Sequence, residues 1–196
     1  KFWKIEEILM NKLYSILLAP LVLTALLLSG CTPKSSQEAT GPEVAGGSSS
    51  AASAESLSFQ GVDLEGNAVS SDILSQSKLT MINVWATYCN PCLSEMPGLG
   101  ELAAEYNGEE FQIIGIVSDV MEGSDQDLVE SLVQQTGANY THLLLNESIY
   151  YALLTDVSAV PTTFFLDENG AVLDTVVGAL EKSAWEETIN GLLEGL

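Results

Sequence analysis

Residues 85–97 read WATYCNPCLSEMP, which sets Cys89 and Cys92 one helical turn apart in a 196-residue chain holding three cysteines in all. Such a pair can clamp a metal, staple a loop or switch reversibly between dithiol and disulfide. A tetrahedral zinc site takes four ligands, mostly Cys or His. Beyond Cys31 the chain offers Cys89, Cys92 and its single histidine, His142, so a metal would need carboxylates or a second chain. A purely structural disulfide would close so small a loop that its entropic contribution falls at the low end of the usual range. The redox reading asks for one accessible thiolate and a second thiol near enough to resolve a mixed disulfide. Cys89, at the start of a helix, suits the first role, and Cys92, one turn in, the second. A helix N-terminus favours the thiolate by about 0.3–2 kcal/mol. Pro91 falls near the first turn, where its missing N–H costs little, and Asn90 is a tolerable cap. Glu95, three residues after Cys92, shares its helical face and could relay a proton as Cys92 becomes nucleophilic. Its charge opposes thiolate formation, and the alternative reading is a solvated helix glutamate.

The elements that must position this pair follow from hydrophobic periodicity. FQGVDLEGNAVS (59–70) is a hairpin about Glu65-Gly66-Asn67. LTMINVW (79–85) and FQIIGIV (111–117) are continuous apolar runs of the kind buried on both faces. Between them, Met96, Leu99, Leu102, Ala103 and Tyr106 recur at helical spacing over 91–106. Ser124 with Asp127 reads as a capping box before a helix over 128–135, which Gly137 ends. HLLL (142–145) is a strand and SIYYALL (148–154) a short helix. TTFFLD (162–167) and AVLDTVV (171–177) flank the turn Glu168-Asn169-Gly170, and 180–193 closes the chain as an amphipathic helix. This alternation predicts an α/β sheet covered on both faces. CNPC then falls where a buried strand runs into a helix N-terminus, the edge at which such sheets carry their chemistry.

WATYCNPCLSEMP, with VPTTFFLDENG (160–170) some way downstream, resembles the TlpA/ResA-type membrane-tethered thioredoxins over nearly all of 57–196. The resemblance implies a thioredoxin-like fold: a central mixed sheet with helices on both faces, an N-terminal β-hairpin and a strand–helix insert. It implies disulfide reduction or exchange outside the cytoplasm, without a cofactor. By position, Cys89 is the nucleophile, Cys92 the resolving thiol and Glu95 the glutamate beside them. Pro161 is the cis-proline facing the pair, leaving the Val160 backbone to pair with a substrate segment. Tyr88 stands where the family usually has tryptophan, keeping an aromatic wall but adding a hydroxyl. Asn83 stands where cytoplasmic thioredoxins carry a buried aspartate, and the family shares that asparagine. Trp85 is expected to pack beneath the site, and His142 to be structural.

The N-terminal third reads as an address and a tether. Met10, Asn11 and Lys12 precede an almost wholly apolar stretch (13–30) with Pro20 inside, closer to a signal peptide than a membrane span. Residues 1–9 fit no part of it, so translation is expected to begin at Met10. Leu28-Ser29-Gly30-Cys31 resembles the bacterial lipobox, which implies a signal peptide over 1–30 and a diacylglyceryl group on Cys31. Two acyl chains anchor durably. Residues 32–56, small and polar, form a flexible linker of roughly 25–30 Å reach. The folded domain is then 57–196, on the extracytoplasmic side of a bacterial cell membrane.

The chain holds six lysines, no arginine and 27 acids, for a formal net charge of −21. So acidic a surface repels phosphates and argues against nucleic acid as a partner. The partners implied by the resemblance are oxidised exported proteins, such as apocytochrome c or a methionine sulfoxide reductase, with a CcdA-like membrane thiol donor supplying electrons. An oxidase or isomerase of secreted proteins, and a non-catalytic docking lipoprotein, are the competing readings. A peroxidase is disfavoured: peroxiredoxins place Thr or Ser three residues before the reactive cysteine, where Ala86 stands.

Overall fold

The computed structural model describes residues 57–196. The leader, Cys31 and linker expected above lie outside the described residues. The domain is built on a five-stranded sheet of order β5-β4-β3-β6-β7. Its strands are β3 (Leu79–Trp85), β4 (Phe111–Met121), β5 (Thr141–Leu145), β6 (Thr162–Asp167) and β7 (Val172–Val177). A separate hairpin, β1 (Gln60–Val62) and β2 (Ala68–Ser70), precedes it. β3 pairs in parallel with β4, and β4 with β5, whereas β6 runs antiparallel to both β3 and β7. The expected mixed sheet is therefore present.

Three helices, α1 (Asn90–Glu105), α2 (Asp127–Thr136) and α3 (Lys182–Leu193), share one face. Right-handed crossovers dictate this for the first two: β3→β4→β5 steps across the sheet in one direction, so both connecting helices fall on the same side. The other face is covered by the hairpin, a 3-10 turn (Ser71–Gln76) and a short helical segment, Glu147–Ile149 continuing as a π turn over Tyr150–Leu154. Ile82 and Val84 of β3 point to that second face with Phe59, Leu74 and Leu153. Leu79 and Met81 point to the helices with Leu99, Leu102 and Trp185. All seven residues of β3 are buried, as a central strand covered on both faces requires. The strand–helix insert is α2 with β5, which forms one edge of the sheet.

Several local expectations change. β4 runs on to Met121, beyond the apolar core at Val117, because its pairing with β5 shifts register after Val117 and resumes with Met121 opposite Leu145. The Ser124–Asp127 capping box does not form: Gln126 is the N-cap without a side-chain bond, and the Asp125 carboxylate instead accepts from Asp127 N–H at 3.0 Å. Gly137 does end α2, at φ 69°, the left-handed position where a side chain is disfavoured. Asn90 is not a cap but the first residue of α1; Cys89 is the N-cap.

Candidate functional site

Cys89 and Cys92 form a disulfide, Sγ–Sγ 2.03 Å, at the mouth of α1. As N-cap, Cys89 places its sulfur where a capping oxygen usually sits, and Cys92 N–H donates to it at 3.2 Å. The turn that delivers Cys89 is held by β4. Ser118 Oγ donates to the Trp85 carbonyl at 2.9 Å, and the Asp119 carboxylate accepts from Thr87 N–H at 3.0 and 3.1 Å and from Thr87 Oγ1–H at 2.5 Å. Cys92 is wholly buried, while Cys89 keeps 6% of its surface exposed, so Cys89 is the member of the pair nearer the outside.

The chain facing that sulfur is the start of β6. The Val160–Pro161 peptide is cis, and the Val160 carbonyl oxygen lies 3.6 Å from Cys89 Sγ. A groove of about 240 Å³ opens beside it, lined by Tyr88, Tyr150, Leu154, Val157, Ala159 and Val160. Tyr88, at 74% exposure, stands free at its edge. Tyr150, which carries no chemistry in the sequence pattern, is a groove residue visible only in three dimensions.

Beneath the pair lies Trp85, fully buried in one cluster with Cys89, Cys92, Met96, Val117 and Val129. Its indole N–H donates to His142 Nδ1 at 3.2 Å, and His142 Nε2 sits 2.9 Å from the Ala138 carbonyl. Burial pulls the histidine down to a pKa of about 4, so it is neutral at ordinary pH.

Glu95 is not the solvated glutamate of the alternative reading. It is 5% exposed and lies between α1, the sheet and α3. Its Oε1 accepts from Asn83 Nδ2 at 3.0 Å. Its Oε2 accepts from Leu180 N–H at 3.1 Å and Trp185 Nε1–H at 3.2 Å. Burial raises its pKa above the ordinary carboxylate value, and the three donors pull the other way. Leu180 and Trp185, remote in sequence, were not legible as partners.

The sequence matches the Redoxin family over residues 48–193. The chain belongs to that family. Among the relatives of this redoxin is the thiol:disulfide interchange protein DsbE of Escherichia coli K12, 29% identical over 136 residues, covering 69% of each chain. The thiol-disulfide oxidoreductase ResA of Bacillus thuringiensis is 28% identical over 132 residues, covering 67% of this chain and 73% of that one. The crystal structure of a thioredoxin-family thiol:disulfide interchange protein from Chlorobium tepidum superposes with a TM-score of 0.57 at 24% identity. It covers 70% of this redoxin and 94% of its own chain, and it shows the fold to be thioredoxin-like. This redoxin is a thiol-disulfide oxidoreductase of the ResA/DsbE type, with Cys89 and Cys92 as its CxxC pair.

Proposed function

We propose that this redoxin reduces protein disulfides outside the cytoplasm, with Cys89 as the attacking sulfur and Cys92 as the resolving one. One observation carries the reading: in a disulfide at a helix N-terminus, the sulfur of Cys89 lies 3.6 Å from the Val160 carbonyl oxygen. A client strand laid along Val160 and Pro161, against Tyr88, brings its own disulfide onto Cys89. In the dithiol form the Cys89 thiolate attacks one client sulfur, and the other leaves as a thiolate. Cys92 then attacks Cys89 Sγ in the mixed disulfide and gives its proton to the Glu95 carboxylate, one turn along the same buried face. The electron pair of the broken bond departs on the client sulfur that Cys89 had attacked. The client has gained two electrons and Cys89–Cys92 has closed; a membrane thiol donor resembling CcdA reopens it.

Tethering completes the reading. Residues 1–30, with translation starting at Met10, are removed as a signal peptide. Cys31 carries the lipid, 31–56 spaces the domain, and 57–196 works at the outer side of a bacterial cell membrane. Oxidised exported proteins, apocytochrome c or a methionine sulfoxide reductase among them, are the clients. Support comes from the lipobox-like Leu28-Ser29-Gly30-Cys31 and from the resemblance to membrane-tethered thioredoxins.

Full-length Cys92→Ser, expressed in a bacterium, should accumulate mixed disulfides with exported clients, and Cys89→Ser should accumulate none. The opposite pattern would reverse the two roles. A reduction potential near that of thioredoxin, about −270 mV, supports a reductase; one near that of DsbA, about −120 mV, would turn the reading to an oxidase.

A further inference from the structure

Among the described residues, the hydrogen-bond partners of the Glu95 carboxylate are donors only. Leu180 N–H and Trp185 Nε1–H converge on Oε2, and Asn83 Nδ2–H on Oε1. That shell suits a carboxylate. It gives a protonated Glu95 no place to put its hydrogen, because a backbone N–H and an indole N–H can only donate. Of the three partners, Asn83 alone also carries an acceptor. Its Oδ1 is buried without a partner among the described residues, while its Nδ2 is shared between Glu95 Oε1 and Thr163 Oγ1 at 3.1 Å. Thr163, wholly buried, has a hydroxyl able to donate as readily as it accepts.

We infer that the Asn83 side-chain amide turns over when Glu95 takes up a proton, making Asn83 a positioning residue matched to both states of the carboxyl. With Glu95 charged, Nδ2 donates to Oε1 and to Thr163 Oγ1. With Glu95 neutral, Oδ1 takes that place, accepting from Oε1–H and from Thr163 Oγ1–H. Each state makes two hydrogen bonds, and the unpartnered end of the amide changes identity rather than position. The proton lands on Oε1, since Oε2 already faces two donors. An aspartate at 83 would add a second charge, and an apolar residue would leave the neutral acid without an acceptor.

Among the described residues, the groups facing Glu95 are few. Cys92 lies one turn earlier on α1, Asn83 comes from β3, and Leu180 and Trp185 come from the segment entering α3 and from α3 itself. Tyr140, between α2 and β5, has a buried hydroxyl without a partner among the described residues, and the charge of Glu95 contributes to holding its pKa high. Tyr140 is the rival acceptor, and the test must separate it from Asn83.

The inference rests on Glu95 as the group that takes the proton from Cys92. Its test is nuclear magnetic resonance of the full chain, labelled with nitrogen-15 and carbon-13, across a pH titration. Glu95 Cδ reports the carboxyl, and nuclear Overhauser contacts from the Asn83 Nδ2 protons to the Glu95 and Thr163 side chains report the amide. Those contacts should be present at high pH and lost at low pH, with the same midpoint as Glu95 Cδ, and Tyr140→Phe should leave the loss intact. Glu95 titrating while the contacts persist would overturn the switch and leave the proton-accepting role standing. A Tyr140→Phe chain in which the contacts persist through the titration would give the acceptor role to Tyr140 and overturn the inference. A Glu95 Cδ that never titrates would overturn both.

Discussion

The indole N–H of Trp85, a residue buried in one cluster with Cys89 and Cys92, donates to Nδ1 of His142 at 3.2 Å, and the second ring nitrogen of His142 is held by the Ala138 carbonyl at 2.9 Å. Because Trp85 Nε1 only donates, Nδ1 must accept, and the proton resides on Nε2. The histidine is therefore locked as one neutral tautomer. It is a support for the floor of the site, with no free nitrogen to offer a metal or a substrate.

A pH dependence of stability follows. The folded pKa of His142, about 4, lies below its ordinary 6.5, so the unfolded chain binds this proton first. Its contribution is present above 6.5, declines as pH falls towards 4, and levels off below. The shift corresponds to about 3 kcal/mol. Denaturant melts of the native chain and His142→Phe should show the variant less stable at pH 7. The gap should narrow as pH falls from 6.5 to 4; a constant gap would mean that His142 is not buried neutral. Comparing the two chains removes Glu95, whose raised pKa acts in the opposite sense: its stabilising contribution is present at low pH and lost as pH rises through the folded value.

Gly115 makes the histidine's position available. A Cβ there would sit 2.2 Å from His142 Nδ1, an overlap that only movement of the ring could relieve. Gly115→Ala should cost about 1–3 kcal/mol and alter Trp85 fluorescence, since the acceptor of its N–H is displaced. Unchanged melting and emission would contradict the close approach.

Glu95→Gln separates the two chemical steps. Attack by Cys89 on a client should persist, while closure of Cys89–Cys92 slows by about 10²-fold and loses the Glu95 limb of its pH profile. Stopped-flow resolution of a preformed mixed disulfide measures this directly. An unaltered closure rate would remove Glu95 from proton transfer.

Tyr88 lines the groove and is 74% exposed. Tyr88→Ala should leave stability within about 0.5 kcal/mol and reactivity with dithiothreitol unchanged, yet raise KM for a protein disulfide several-fold. Equal loss with dithiothreitol and with the protein disulfide would place the tyrosine in the chemistry rather than in docking.

Much of this could be read along the chain. Local rules suffice for the buried run 79–85, the helix after it and the turn at Asn169-Gly170, because each rests on neighbours a few residues apart. The same holds for the CxxC pair at the helix mouth, since four consecutive residues and one dipole define it. Cap details were less legible. Asn90 and Ser124 are both good caps in isolation, but the chain geometry gives those duties to Cys89 and Gln126.

The surroundings of Glu95 were beyond local reading. His142, Gly115, Asn83 and Thr163 stand in one register row across β5, β4, β3 and β6, although their numbers span 80 positions. Strand pairing alone makes them neighbours, and a slip of one residue would turn the row to the opposite face. The sequence by itself determined that two cysteines would exchange a disulfide bond at a helix N-terminus. Only the tertiary structure decided that the nearby carboxylate is enclosed by an asparagine, a tryptophan and a backbone N–H, because burial and hydrogen bonding depend on which distant strands the sheet brings side by side.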